Sequence, residues 1–354
     1  MARSAADKDA TGEGAEGDVL PGAPHPRRQD RLFGHAEVEA DLIAEWRAGR
    51  LPHALLIGGP EGIGKATLAY RIARFVLAGG PVSPNQHAFD VPETHPIWRQ
   101  VAALSHPDLL VLRRVPEAGE DKIPTVIPAD MVRKVRSFFG ATAGGGGWRV
   151  CIVDAVDDLN AFGANALLKT LEEPPARALF LLVCHAPGRV LPTIRSRTRM
   201  VRLKPLGGAE VLAALDHLAP ALELDGAALP AAAAASGGSV RRAIVLARGE
   251  GMEVRGATLR ALEQLPQPRM EELHALGARL QGDRGDGLAL FLEAVSDWIA
   301  AEATGGAAGR HRLVRLGEVW EKVRCSGAEA DTYNLDRKAL VFRIFTELAE
   351  ASRI

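Results

Sequence analysis

Residues 53–66 read His53-Ala54-Leu55-Leu56-Ile57-Gly58-Gly59-Pro60-Glu61-Gly62-Ile63-Gly64-Lys65-Ala66, and this stretch decides the fold. Its first part is a short apolar run, the pattern of a strand buried on both faces. From Gly59 the spacing is G-x-x-x-x-G-K, and behind it Leu68, Ile72, Phe75 and Val76 recur at helical period. Strand, glycine loop, lysine and helix in that order describe a phosphate-binding loop. Backbone N–H groups and a helix N-terminus would converge on one anion, Gly59, Gly62 and Gly64 would allow the backbone to approach it, and Lys65 would aim a point charge at the β/γ-phosphates. The plainer alternative is a glycine turn that binds nothing, and the agreement of all four features weighs against it.

The loop lacks parts that a hydrolytic site needs. Ala66 stands where Ser or Thr would hold Mg²⁺. Thr67 comes one residue too late, and one residue turns a side chain by about 100° on a helix. Farther along, Arg149-Val150-Cys151-Ile152-Val153-Asp154-Ala155 reads as the second strand of a nucleotide site. Asp154 can organise Mg²⁺ through water, but Ala155 occupies the place of a catalytic Glu. Loss of a positioned base slows proton transfer by roughly 10²–10⁴-fold. Asp157 and Asp158 lie too far on to replace it, and their expected role is to cap the next helix. The expectation is a nucleotide cradle that does not split its own triphosphate. Residual ATP or ADP binding stays open, and no cofactor is required.

Outward from this core, apolar runs at 108–112, 150–153 and 178–183 read as further strands, and residues 129–139 and 160–171 as helices between them. Alternating strand and helix predicts an α/β domain with a parallel sheet covered on both faces. Residues 1–28 are rich in Ala, Gly, Asp and Glu and read as a disordered tail. Order is expected from about Leu32, with a helix through Val38, Leu42, Ile43 and Trp46 ending by Gly49. Residues 79–107 read as irregular and 143–147 as a turn. After Leu206 strand-like runs vanish. The predicted division is 1–28 tail, 29–205 α/β domain, 206–252 small helical lid and 253–354 helical bundle.

The 354 residues carry a net charge of −1, so no global basic field favours tight DNA binding by the chain alone. Cys151, Cys184 and Cys325 are widely spaced, which predicts neither a disulfide framework nor a cysteine zinc site and fits a reducing cytosol. No apolar run has the length of a membrane span, and the N-terminus lacks the apolar stretch of a signal peptide, so the expected location is cytoplasmic.

Two further stretches are more specific. Asn165-Ala166-Leu167-Leu168-Lys169-Thr170-Leu171-Glu172-Glu173-Pro174-Pro175, together with Leu191-Pro192-Thr193-Ile194-Arg195-Ser196-Arg197-Thr198, resembles the clamp-loader branch of the AAA+ ATPases, as found with bacterial DNA polymerase III. The resemblance spans about residues 30–345, and the stretch from Tyr333 to Leu340 is similar to alphaproteobacterial members. It implies an AAA+ domain, a helical lid and a C-terminal collar formed with partner subunits. Ser196-Arg197-Thr198 falls on the family's Ser-Arg-Cys motif, with Thr198 in place of Cys. Arg197 is thereby implied to be an arginine finger offered in trans, a group worth roughly 10³–10⁵ in rate. The alternative for it is a surface ion pair, the role expected of Arg195 and Arg199. Arg241, in Gly238-Ser239-Val240-Arg241, falls on the second sensor of the lid, where a degenerate site would leave it tying lid to core. Cys184 or His185 takes the place of the first sensor. Cys184 is expected to be a small buried residue and His185 a structural one. The family's four zinc-binding cysteines are absent, and His87, His95 and His106 are too scattered to replace them. No zinc is expected, and the 79–107 insertion should be shortened or rebuilt. The implied partners are the gamma/tau and delta subunits, the sliding clamp and primer–template DNA, with no membrane. Two other readings stay open: an active ATPase using Thr67 and a displaced carboxylate, and an adaptor that holds nucleotide as a structural ligand.

Overall fold

The computed structural model describes residues 20, 22–83, 86, 88–115, 124–140, 147–282, 287–305, 310–333 and 336–353. Helix α1 (Ala36–Arg47) leads into strand β1 (Ala54–Gly58), the glycine loop and α2 (Lys65–Leu77). Next come α3 (Pro96–Ala102), β2 (Leu109–Arg113), α4 (Ala129–Gly140), β3 (Arg149–Asp154), α5 (Ala161–Glu172), β4 (Ala178–Cys184), α6 (Pro192–Arg195) and β5 (Arg199–Arg202). The strands form one sheet in the order β2-β3-β4-β1-β5. Every neighbouring pair is parallel. This is the α/β class with a parallel sheet that the sequence predicts.

Side chains alternate across each strand, so both sheet faces become core. Leu55 and Ile57 of β1, Val150 and Ile152 of β3, and Leu179 and Leu181 of β4 pack with α2. Leu56, Cys151, Val153, Phe180 and Leu182 point the other way, toward α4 and α5. That double burial is why these strands read as unbroken apolar runs.

Three features depart from the sequence reading. The fifth strand, β5, pairs with β1 from Arg199 opposite Leu55 to Arg202 opposite Gly58. The stretch read as irregular contains α3. Its first N–H groups are served by His95, whose Nδ1 accepts from Ile97 N, and Pro96 fixes the first turn. Finally, order begins before Leu32. Pro26–Arg28 form a 3-10 turn, Arg27 is buried, and its Nε donates to the Ala102 carbonyl at 2.8 Å. Buried guanidinium groups need acceptors, and this segment supplies them. Arg74 of α2 donates to Gln29 O at 2.6 Å and Arg71 to Asp30 O. Arg71 also meets Glu39 at 3.1 Å and Asp90 at 2.5 Å, and Arg74 lies 5.4 Å from the Trp98 ring centroid. Residues 1–19 of the expected tail, His87 and most of the 143–147 turn lie outside the described residues.

The remaining helices are α7 (Gly208–Leu222), α8 (Leu229–Ala235), α9 (Val240–Ala247), α10 (Gly251–Glu263), α11 (Met270–Gly282), α12 (Gly287–Thr304), α13 (Arg310–Tyr333) and α14 (Arg337–Ser352). The chain divides into two compact units. One holds residues to Glu223 together with Gly237–Arg241, and the other Leu224–Ser236 and Arg242–Ile354. Residues 206–252 are thus shared between them. Within the second unit α10 packs on α11 and α12, and α14 on α11 and α13. Leu276, Leu280, Phe291, Val295, Leu316, Val341 and Phe345 are buried there.

Candidate functional site

The glycine loop sits at the C-terminal end of β1, where a parallel sheet presents helix N-termini. Gly59 has φ +155° and Gly62 φ +76°. A Cβ on Gly59 would lie 2.5 Å from the Leu203 carbonyl oxygen, and one on Gly62 would lie 2.3 Å from Ser239 Oγ and 2.5 Å from Arg241 Cβ. Backbone and neighbours therefore both demand glycine at these two places. Gly64 is the N-cap of α2. The loop carbonyls are engaged around its outside. Ile63 O meets His35 Nε2 at 2.9 Å, Gly62 O accepts from Val240 N at 2.8 Å, and Pro60 O accepts from Lys65 Nζ. The first N–H groups of α2, from Lys65, Ala66 and Thr67, have no carbonyl within the helix. Loop and helix end make a cradle of donors.

Lys65 is buried, and burial pushes its ammonium down to about 8. Glu61, then Asp154, Asp157 and Cys184, pull in the opposite direction. An anion in the cradle would favour the ammonium and raise it again. Arg241 is brought to the same loop, as the sequence places it, and its Nε lies 3.1 Å from Glu61 Oε1. The residues assigned to the site from sequence thus gather here: Gly59, Gly62, Gly64 and Lys65 in the loop, Asp154 at the end of β3, and Arg241 above Gly62. Thr67 is half-buried in the first turn of α2. Ala155, which follows Asp154, is wholly buried and carries only a methyl group.

Asp157 and Asp158 do not cap the next helix, and this corrects the sequence reading. Both lie in a 3-10 turn, Val156–Asp158. The cap of α5 is Asn160, whose Oδ1 accepts from Gly163 N at 2.8 Å. Asp157 instead reaches across to the end of β4. Its carboxylate accepts from His185 N at 2.7 Å and Ala186 N at 3.0 Å, with Cys184 Sγ at 3.6 Å. Asp158 pairs with Arg114 at 3.0 Å. Cys184 is fully buried, and burial first, then Asp157, pushes its thiol up to about 12. At neutral pH it is an inert thiol. His185 is exposed and held through its backbone.

Arg197 stands elsewhere. Register places Arg199 beside Leu55 and Arg202 beside Gly58. The residues before β5 therefore lie at the N-terminal end of the sheet, about 10 Å or more from the phosphate loop at ~3.3 Å per strand residue. The guanidinium of Arg197 pairs with Glu172 Oε1 at 2.7 Å and donates to Thr193 O at 3.0 Å and Ser196 Oγ at 3.1 Å. Ile194, buried in the core, anchors this turn, and Thr198 Oγ1 donates to Ile194 O at 3.1 Å. Arg195 Nη1 lies 3.5 Å from Pro187 O, and Arg199 pairs with Glu45. Sequence reasoning missed Glu61, Asp157 and Glu172 as partners, because a carboxylate's target is set by tertiary structure.

Among the described residues, no group of three or more His, Cys, Asp or Glu side chains is placed to hold a metal ion. His95 caps α3 and His106 Nδ1 accepts from Asp108 N at 3.1 Å. No described helix is long and apolar enough to cross a membrane.

Residues 34–207 match the family model described as DNA polymerase III, delta subunit. A DNA polymerase III subunit delta' from Pseudomonas aeruginosa is 39% identical over 188 residues, 53% of this chain and 53% of that one. The Escherichia coli protein of the same name is 34% identical over 223 residues, 62% of each chain. A DNA polymerase III subunit gamma/tau from Mycobacterium bovis is 32% identical over 213 residues, 59% of this chain and 35% of the relative. The chain thus spans between half and two thirds of the length of these two delta' relatives.

Proposed function

We propose, for a chain that belongs through residues 34–207 to the DNA polymerase III delta-prime family, that it is a clamp-loader subunit which does not hydrolyse ATP itself and supplies Arg197 to ATP bound on a neighbouring gamma/tau subunit. The observation that carries this reading is the separation of the two features. The phosphate loop lies at one end of the sheet and Arg197 at the other, which supports a role toward another chain's phosphate over one at its own loop. A guanidinium beside a γ-phosphate neutralises charge that develops in the transition state. The chain's own loop lacks a hydroxyl at Ala66 and a base at Ala155. Any ATP or ADP held by Lys65 and the loop amides would be a structural ligand.

In this reading the helices of 253–354 form a collar with gamma/tau and delta subunits, and the first domains bracket the sliding clamp and primed DNA. With a net charge of −1, the chain would meet DNA only within the complex. The test is a reconstituted loader in which this subunit carries Arg197→Ala. DNA- and clamp-stimulated ATP hydrolysis is expected to fall by roughly 10²-fold or more. An unchanged rate with assembly intact refutes the finger. The isolated chain is expected to show no turnover. Hydrolysis near ~1 s⁻¹, an ordinary enzyme rate, that Lys65→Ala abolishes would establish the active-ATPase reading instead.

A further inference from the structure

We infer that Glu172 is the positioning residue of Arg197, holding its guanidinium in the orientation in which it meets a neighbouring chain's phosphate; this rests on the finger reading above. Pro174 disfavours a helical conformation in the residue before it, and Glu173 has φ −124° and ψ 70°. Helix α5 therefore closes at Glu172, and the carboxylate stands in its last turn. An acidic side chain there faces the negative end of the helix dipole and is unfavourable unless a cation answers it. Arg197 answers it, 2.7 Å away.

The contact is not one loose surface pair. The same guanidinium donates to Thr193 O and Ser196 Oγ, so both terminal nitrogens are held. The supports are fixed in turn. Thr193 and Ser196 belong to the turn that Ile194 pins into the core, and Glu172 follows the buried Leu171. Arg197 is about one third exposed and Glu172 about one half. The pair lies at the surface, reachable by another chain. The two hydrogen bonds fall on Nη1 and the ion pair on Nη2; of the five guanidinium N–H groups, those not committed there are what an incoming phosphate oxygen can take. A long side chain that would otherwise sample many rotamers is thereby pre-oriented, which is how a supporting shell raises the rate of a chemistry it does not touch.

The experiment is a double-mutant cycle in the full reconstituted loader, read by DNA- and clamp-stimulated ATPase with assembly checked by size. Glu172→Ala is expected to lower kcat roughly tenfold with KM for ATP little changed. Glu172→Gln, which keeps an acceptor of the same shape, is expected to lose less. Added to Arg197→Ala, Glu172→Ala is expected to do nothing more, because its only route to the reaction is through Arg197. An equal loss in both backgrounds overturns the inference and makes Glu172 a structural residue. So does an unchanged or raised kcat in Glu172→Ala while Arg197→Ala is still defective. If Arg197→Ala itself has no effect, the finger reading fails and the inference fails with it.

Discussion

Replacing Lys65 by Met should make the chain more stable at neutral pH and not at alkaline pH. The ammonium is lowered from 10.5 to about 8, with burial as the leading cause. At 1.36 kcal/mol per pKa unit this is about 3 kcal/mol of destabilisation while both states are charged. The hydrogen bond to Pro60 O returns about 1–2 kcal/mol. Met fills a similar volume without a charge, so a net gain of about 1–2 kcal/mol is expected at pH 7. Between pH 8 and 10.5 the folded state has released the Lys65 proton and the unfolded state still holds it. The unfolded state binds more protons, so the parent gains stability as pH rises through this window. By pH 10 most of the burial cost has gone, and Met should be neutral or worse. The assay is urea unfolding of both chains at pH 7 and pH 10. Taking the difference between chains at each pH cancels the other titrating groups. The difference should move by about 2 kcal/mol. A pH-independent difference, or a Met variant that gains stability at alkaline pH instead, would refute the reasoning.

Gly62→Ala places a Cβ against Ser239 Oγ and Arg241 Cβ in a left-handed backbone. It should lower stability by about 1–3 kcal/mol, and a shift below about 0.5 kcal/mol in chemical denaturation would show that the segment of Ser239 and Arg241 yields freely. Asp157→Asn weakens two charge-assisted bonds to His185 N and Ala186 N. The expected loss is about 2 kcal/mol, with faster hydrogen exchange at those two amides; unaltered exchange there would mean that the carboxylate is not what fixes the end of β4.

The central strands were legible because burial on both faces leaves an apolar run. The glycine loop was legible because strand and helix flank it. β5 was not, since Arg199 and Arg202 bound it and only Val201 is buried. An edge strand with one core residue has no periodicity to read. The cap and Pro96 that start α3 were present in the sequence, but seven residues are too few to show a helical face. Composition misled at Pro26–Arg28, where order comes from what Arg27 touches. The carboxylates show the same limit. Asp157 lay close to a helix start and read as its cap, yet its acceptor work is done at β4, 27 or more residues away. Arg197 was found through its motif, and Glu172 was in plain view within another motif, but only the fold puts the two in contact.

A parallel sheet has two unlike rims, and here the glycine loop lies at one and Arg197 at the other. On the reading proposed above, subunits joined head to tail set one rim of each against the other rim of the next, and a ring built that way has a direction. Seen that way, this chain would meet its two neighbours through different rims and could enter the circle in one orientation only.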